Sequence, residues 1–143
     1  MGIWFANPTI DGAHAAHMGL LASHLGIEFT EFGPDFLRGT MPVLPRVHQP
    51  MGYLHGGASM VLAETLGSVA ANAVVDYAKF RCLGQEINAN HLRPVTDGLV
   101  VGTARPMHLG SRSQVWSIEI RDPRERLVCV SRLTVAVVEW RPK

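Results

Sequence analysis

The residue whose chemistry stands out first is Glu64, the one ionisable side chain between Gly56 and Val75. Apolar and small residues surround it in a stretch that reads as a helix, so its carboxylate loses hydration, which is costly unless partners compensate. Ser68 follows one helical turn later on the same face, where its hydroxyl can bond the carboxylate or a nucleophilic water. The pattern predicts a carboxylate kept for chemistry; a Glu on a solvent-facing edge of the helix is the alternative.

The start of the same helix is the second unusual feature. His55-Gly56-Gly57 precedes the helix and follows the stiff segment Gln49-Pro50-Met51-Gly52. Two glycines at a helix N-terminus let a ligand approach free backbone N–H groups, where the helix dipole favours negative charge. Such a place suits the oxygen of a carbonyl group under nucleophilic attack. A plain glycine-rich entry to a helix would give the same residues.

The spacing of these two features constrains how they can act together. Glu64 lies eight residues after Gly56, which is about 12 Å along a helix at roughly 1.5 Å per residue. Two groups that far apart on one helix cannot both contact the same bond of a substrate. If both features act on one substrate, they come from two helices that run antiparallel across a twofold axis, with two composite sites per dimer.

Periodicity assigns the elements that must position these residues. A helix over 8–24, with Asp11 as a candidate cap and Gly26 as a stop, precedes strands over 27–32 and 36–43. The long helix spans 56–77, and strands follow over 83–93, 98–109, 113–121 and 127–140. The later connections are too short for crossover helices, so the sheet is mainly antiparallel. The prediction is an α+β fold in which a curled sheet buries the apolar helix on its concave face.

Composition limits the class of protein. The 143 residues fit one domain, 1–143, with an N-terminal helical segment over 1–25. A net charge of +1 without a basic tail argues against nucleic-acid binding, and the apolar run 58–75 holds too many polar residues to predict a membrane span. No leader pattern begins the chain, so the cytoplasm is the expected compartment. Cys82 and Cys129 are expected to be buried thiols, and the pair His14 and His17 lacks the further ligands that a metal site needs.

Three stretches of the chain resemble one known family. They read HQPMGYLHGGASMVLAETLGSVA, EINANHLRPV and MHLGSRSQVWSIEI. With a likeness running from about Leu25 to Val138, they make the chain similar to the hotdog-fold aryl- and acyl-CoA thioesterases. Within that family the likeness is greatest to the group that hydrolyses 1,4-dihydroxy-2-naphthoyl-CoA in menaquinone synthesis, followed by the proofreading group of enterobactin synthesis.

The resemblance implies a role for each matching residue. Glu64 would be the nucleophile or the general base toward a thioester, and Gly56 would donate the N–H that polarises its carbonyl. Gln49 and His55 would orient the thioester and support the oxyanion hole, while Ser68 would position the attacking water. The family also implies a dimer-of-dimers tetramer with sites between subunits. No cofactor is implied, because CoA is part of the substrate.

The resemblance extends to the CoA arm of the substrate. Residues at family positions near the pantetheine and phosphates are His91, Arg93, Gly110, Ser111 and Arg112, and arginine suits phosphate through bidentate bonds. The first eleven residues and the tail EWRPK depart from the family, which leaves the acyl group open. Dihydroxynaphthoyl is the first candidate, and benzoyl-type and medium-chain esters follow.

Two other functions fit parts of the pattern. A dehydratase or hydratase of acyl thioesters shares the fold but would want a His base in an HFxGxPxxPG-type loop, which HQPMGYLHGG fits poorly. A non-catalytic acyl-CoA-binding module is the other alternative, and it would gain nothing from a carboxylate beside a thioester.

Overall fold

One six-stranded antiparallel sheet curled around a long helix makes up most of the chain, in a computed structural model that describes residues 2–142. Two short helices come first, α1 (Ile10–His17) and α2 (Leu21–His24). Strands β1 (Glu28–Phe32) and β2 (Leu37–Pro42), a 3₁₀ turn (Pro45–Val47) and the long helix α3 (Gly56–Ala73) follow. The chain continues as strands β3 (Phe80–His91), β4 (Leu99–Leu109), β5 (Ser113–Arg121) and β6 (Leu127–Glu139). The strand order is β1-β2-β4-β5-β6-β3 with every pair antiparallel, which confirms the α+β hotdog arrangement.

The concave face of the sheet and the buried face of α3 form one hydrophobic core. From the helix, Leu62, Leu66 and Ala70 are completely buried. They meet fully buried side chains that alternate along the central strands, as the period of two requires: Met41, Val100, Ala104, Trp116, Ile118, Ile120, Leu133 and Val135. Gly67 lets the helix approach the sheet closely, because a Cβ there would lie 2.6 Å from the Leu133 side chain.

Strand β3 is an edge of the sheet, and its register contains an irregularity. It pairs with β6 from Phe80 opposite Glu139 to His91 opposite Cys129, with a shift between Gly84 and Glu86. Gly84 pairs with the inward-facing Val135, whereas Glu86 pairs with Thr134 on the outer face. The bulge therefore changes which residues face the helix: Cys82 and Gly84 before it, and Ile87, Ala89 and His91 after it.

The prediction of one helix over 8–24 is wrong. The helix stops at His17, and a second short helix starts at Leu21. Gly19 lies between them with φ +72°, a left-handed conformation that no helix continues through. Thr9, not Asp11, caps the first helix, with its hydroxyl oxygen accepting the Gly12 N–H at 3.0 Å.

Two boundaries of the central elements also differ from prediction. The long helix ends at Ala73, not at 77, because Asp76 starts a turn in which its carboxylate accepts the Ala78 N–H and its carbonyl accepts the Lys79 N–H. The following strand then runs over Phe80–His91, where 83–93 was predicted. The other predicted strands agree with the observed ones to within one residue at each end.

The remaining organisational predictions concern the whole chain. Buried hydrophobic residues between Ala22 and Val135 form one core cluster. Met1 and Lys143, the ends of the predicted domain 1–143, lie outside the described residues. The single-domain assignment and the cytoplasmic location stay predictions. Within residues 2–142, no helix has both the length and the apolar character to cross a membrane.

Candidate active site

The Glu64 carboxylate lies between α3 and the start of β3, neither fully buried nor on the open surface. The Ser68 hydroxyl donates to Glu64 Oε1 at 3.3 Å, as the spacing of four residues predicts. On the strand side, the backbone of Gly84 passes beside the carboxylate. The helix thus holds a half-buried acid at the sheet edge, with one hydroxyl bound to it.

The helix N-terminus presents a backbone N–H group that has no acceptor within residues 2–142. Gly56 is the first residue of α3, and among these residues no oxygen accepts its N–H. His55 caps the helix, because its Nδ1 accepts the Gly57 N–H at 2.8 Å. The cap fixes the first turn and leaves the Gly56 N–H pointing out of it, at the end of the helix where negative charge is favoured.

An open cleft of about 330 Å³ adjoins this N–H. Predicted site residues that line it are Gln49, Gly56, His91 and Arg93. His91 ends β3 and its ring lies against Gly56, where a Cβ would come within 2.7 Å of Nε2. Only glycine permits this approach without displacing the ring. The cleft therefore combines a free N–H, an amide side chain and an imidazole, which are groups that can hold a carbonyl oxygen.

Glu64 does not line this cleft. It lies about 12 Å further along the same straight helix, beside Gly84, seven residues before His91 on β3. One chain consequently carries two half-sites, defined here by their leading residues: the acid half-site at Glu64 and the N–H half-site at Gly56. They lie at opposite ends of β3, and within one chain they cannot touch the same bond.

The residues predicted to bind CoA lie at both ends of β3. The turn from Gly110 to Arg112 is tight, with the Gly110 N–H donating to Ser113 O at 2.9 Å. Arg112 O accepts the Val137 N–H at 2.9 Å, and Val137 pairs with Cys82. The turn therefore lies at the end of the sheet that holds the acid half-site. His91 and Arg93 lie at the other end, so the five residues do not form one group within a chain.

Three other groups that could attack a carbonyl are unsuited to the task. Both cysteines are buried, and burial raises the pKa of the Cys82 thiol to about 11 and raises the pKa of the Cys129 thiol as well. Neither forms an appreciable amount of thiolate at neutral pH. Ser59 is buried in α3. Glu64 differs from these three groups in lying half-buried at the edge of the sheet.

The histidines set aside as metal ligands have structural partners. His14 Nε2 accepts the Phe29 N–H at 2.9 Å, and His17 Nδ1 bonds Ala13 O at 2.9 Å. Both rings also pack on Phe29, at 5.5 and 5.2 Å between centroids. These contacts dock α1 on β1. Across residues 2–142, no three His, Cys, Asp or Glu side chains come together as a metal site would require.

Two residues near Glu64 were not singled out from the sequence. Gly84 passes beside the carboxylate, and Asn72 bonds both backbone groups of Cys82, two residues before Gly84. A glycine inside a strand pattern does signal a bulge or a close approach, so the signal for Gly84 was present. For Asn72 the only signal was a polar residue on the apolar helix.

Comparisons with known proteins agree on one family. Residues 51–129 match the family described as the thioesterase superfamily. The 1,4-dihydroxy-2-naphthoyl-CoA hydrolase of Escherichia coli is 48% identical over 136 residues, covering 95% of this chain and 99% of that protein. The proofreading thioesterase EntH of Cronobacter turicensis is also 48% identical over 136 residues, covering 95% and 98%.

A solved structure extends the agreement to the backbone. A glutamine-to-alanine variant of a Pseudomonas aeruginosa thioesterase is 42% identical to this chain. It superposes with a TM-score of 0.95 over 97% of this chain and 100% of its own.

Proposed function

The chain belongs to the thioesterase superfamily and is a thioester hydrolase, and from that premise we propose that it cleaves acyl- or aryl-CoA thioesters to the free acid and CoA. The observation that carries the proposal is the pair of half-sites. Glu64 is the one ionisable side chain of a helix whose first N–H, at Gly56, has no acceptor within the described residues. A carboxylate and a free N–H are what hydrolysis of a thioester needs besides water.

The two possible roles of Glu64 lead to the same products. As general base, the carboxylate takes a proton from water while the water oxygen attacks the thioester carbon. As nucleophile, the carboxylate oxygen attacks the carbon itself, and water then cleaves the resulting anhydride. In both, negative charge collects on the carbonyl oxygen, where the Gly56 N–H stabilises it, and the C–S bond breaks to release CoA, which takes up a proton. The Ser68 hydroxyl holds the carboxylate or the water in line.

The two half-sites are joined in a homodimer, in this proposal, through the free edge of β3. Within residues 2–142, β3 pairs on one side only, and most of its outward residues are exposed. An unpaired edge of this length is a template for another strand. Pairing with the same strand of a second copy, antiparallel about a twofold axis, brings the acid half-site of each subunit toward the N–H half-site of the other.

The bulge in β3 would set the register of that pairing. Opposite residues in an antiparallel pair lie on the same face, so Gly84 beside the acid and the partner subunit's His91 beside the N–H can stand opposite each other. A twofold axis at Asn88 gives this register if Gln85 is the extra residue of the bulge, as it already is in the pairing of β3 with β6. Two such dimers would form the tetramer expected from the family.

For the acyl group we propose 1,4-dihydroxy-2-naphthoyl as the first candidate. The support is the 48% identity to the E. coli hydrolase named for that substrate. The equal identity to a proofreading thioesterase keeps other aryl-CoA esters next in order, with medium-chain acyl-CoA esters after them.

The phosphates and pantetheine of CoA are assigned to both subunits. The Gly110–Arg112 turn lies at the end of the sheet near its own Glu64, whereas His91 and Arg93 adjoin the N–H half-site. In the proposed dimer these two groups face each other across the twofold axis. Their arginines then supply charge for the phosphates from two chains.

Release of free thiol from a panel of aryl-, short- and medium-chain acyl-CoAs tests the function. We expect release well above background with at least one aryl-CoA. The thiol reagent reacts with the released CoA and not with the native protein, because both cysteines are buried. An absence of release from every ester would contradict the proposal. Release from aliphatic esters alone would remove the dihydroxynaphthoyl assignment and leave hydrolysis standing.

A further inference from the structure

Gly84 is a glycine that the backbone does not require. Among the residues described, the glycines with positive φ are Gly19, Gly26, Gly52 and Gly98, so Gly84 has a conformation open to other residues. A glycine in the interior of a strand loses packing and weakens the strand. Its presence in the 12-residue strand β3 therefore calls for another reason.

The reason is the space taken by Glu64. A Cβ built on Gly84 would lie 2.4 Å from Glu64 Oε1 and 3.4 Å from Cδ. The first distance is about 1 Å short of an ordinary contact. The carboxylate occupies the volume that a side chain at this position would fill, so even a methyl group and the present position of the acid exclude each other.

The distance between helix and strand at this point is fixed by Asn72. Its Oδ1 accepts the Cys82 N–H at 2.9 Å, and its Nδ2 donates to Cys82 O at 3.1 Å and to Ser68 O at 2.9 Å. Asn72 lies two helical turns after Glu64 on the same face, and Cys82 is two residues before Gly84. The strand is thus fastened to the helix next to the carboxylate, and the gap cannot widen freely to admit a side chain.

We infer that Gly84 is a positioning residue. Because Gly84 has no side chain, the Glu64 carboxylate can occupy the space beside β3 where catalysis needs it. Ser68 and the hydrogen bonds between Asn72 and Cys82 bound that space. The inference rests on the proposed function and adds a determinant of its rate. Displacing a reacting group by roughly 1 Å can cost about 10²-fold in rate. The residues assigned to substrate binding, such as Arg93 and Arg112, are left unaltered by a substitution at Gly84.

The test compares Gly84→Ala with matched variants in the thiol-release assay. We expect kcat to fall by about 10²-fold with KM changed by less than about threefold. Gly102→Ala is the control, since a Cβ there presses on the same helix through Leu66, at 2.6 Å, without touching Glu64. It should lower the melting temperature and keep most of kcat.

Shortening the acid separates positioning from a loss of stability. Glu64→Asp withdraws the carboxylate by one methylene, which relieves the clash with an alanine at position 84. If the two single substitutions acted independently, their fold-losses of kcat would multiply in Gly84→Ala/Glu64→Asp. We expect the loss in this double variant to be at least about tenfold smaller than that product, because the two changes act on one contact. Losses that multiply, or a kcat of Gly84→Ala within about threefold of the wild type, would overturn the inference.

Crystal structures of the wild type and Gly84→Ala make the result independent of the proposed function. We expect the Glu64 carboxylate to have moved away from β3 in the variant. If the wild type released no thiol from any ester, the proposed function would fail while this comparison still decided the role of Gly84. An unmoved carboxylate, with the alanine methyl accommodated by the strand, would refute the positioning role.

Discussion

At the scale of single residues, the Gly56 N–H and the Glu64 carboxylate keep capacity for further hydrogen bonds. The Gly56 N–H has no acceptor within residues 2–142, and the Ser68 hydroxyl is the one donor there that bonds the Glu64 carboxylate. Most polar groups away from solvent are fully hydrogen bonded in proteins. A group left open at the edge of a core is free to bond a ligand or a water. The donor at Gly56 and the acceptor at Glu64 match the two oxygens of the reaction, that of the carbonyl and that of the attacking water.

Glu64→Gln tests the acid at this scale. The amide keeps the size of the side chain and the bond to Ser68, but it neither takes a proton nor attacks a carbonyl. We expect kcat to fall by at least about 10³-fold, a loss of roughly 4 kcal/mol of transition-state stabilisation, with KM little changed. Near-normal turnover with the fold intact would show that the carboxylate is structural.

Arg112→Ala tests the phosphate assignment. The guanidinium should lower KM only for esters that carry the nucleotide, because it bonds phosphate. We expect KM for the acyl-CoA to rise by roughly fivefold to tenfold, and that for the matching pantetheine thioester to stay unchanged. Arg124→Ala, in the turn between β5 and β6, is the control. Equal effects of Arg112→Ala on both esters would remove the assignment.

The residues of the candidate site were predictable from the sequence to different degrees. Glu64 and Ser68 share one helix at a fixed spacing of four, so their contact followed from local geometry. The neighbours of Glu64 on β3 did not follow, because contacts between helix and strand depend on the register and bulge of β3. The sequence therefore held no measure of the distance between Glu64 and Gly84.

At the scale of elements, α3 carries both half-sites and holds them apart. Its first turn holds the Gly56 N–H, its middle holds the Glu64 carboxylate, and its buried face fills the core. Hydrophobic periodicity predicted this helix and the alternating strands because burial follows period. It failed where local bonding sets the boundary, at Gly19 between α1 and α2 and at Asp76 after α3.

The turn between β5 and β6 yields a prediction on pH. Burial works to raise the pKa of the Asp122 carboxyl, but the hydrogen bonds from Arg126 and the Arg124 N–H, together with the charge of Arg126, outweigh it and hold that pKa below its ordinary value. A lowered folded pKa means stability that is present above the unfolded pKa of about 4 and is lost as the pH falls through the folded value.

Asp122→Asn should therefore melt below the wild type at pH 7. The difference in melting temperature should shrink as the pH falls below about 4, because the wild-type carboxyl then takes up a proton and loses the same interactions. Glu125→Gln, in the same turn, is the control and should show no such convergence. A difference between Asp122→Asn and wild type that stays constant from pH 7 to acid would contradict the role of the ion pair.

At the scale of the whole molecule, the length of α3 is the reason why a second copy is proposed. About 12 Å of helix separate the acid and N–H half-sites, and the free edge of β3 supplies the surface along which two copies can join. If both half-sites act on one substrate, the expectation of a partner follows from the sequence spacing alone. The edge proposed for the partner, and the bulge proposed to set its register, became visible only with the strand order and the pairing of β3 with β6.

Complementation between two inactive variants tests this arrangement most directly. Gly56→Pro removes the N–H and also displaces the His91 ring, which lies in the same half-site. Proline is tolerated at the first position of a helix when the preceding residue is extended, as His55 is, with φ −66° and ψ 130°. Gly56→Pro and Glu64→Gln are made separately and then co-expressed in equal amounts. The matched control co-expresses the wild type with a chain that carries both substitutions.

The measurement is the rate of thiol release from the best acyl-CoA, relative to wild type, for the two co-expressed samples and for each variant alone. If every site joins Glu64 of one subunit to the partner subunit's Gly56, random pairing leaves about a quarter of the sites intact in both samples. We expect about a quarter of wild-type activity from each, and almost none from either variant alone. No recovery with the two single variants, together with about half of wild-type activity in the control, would show that each site lies within one chain and would contradict the account.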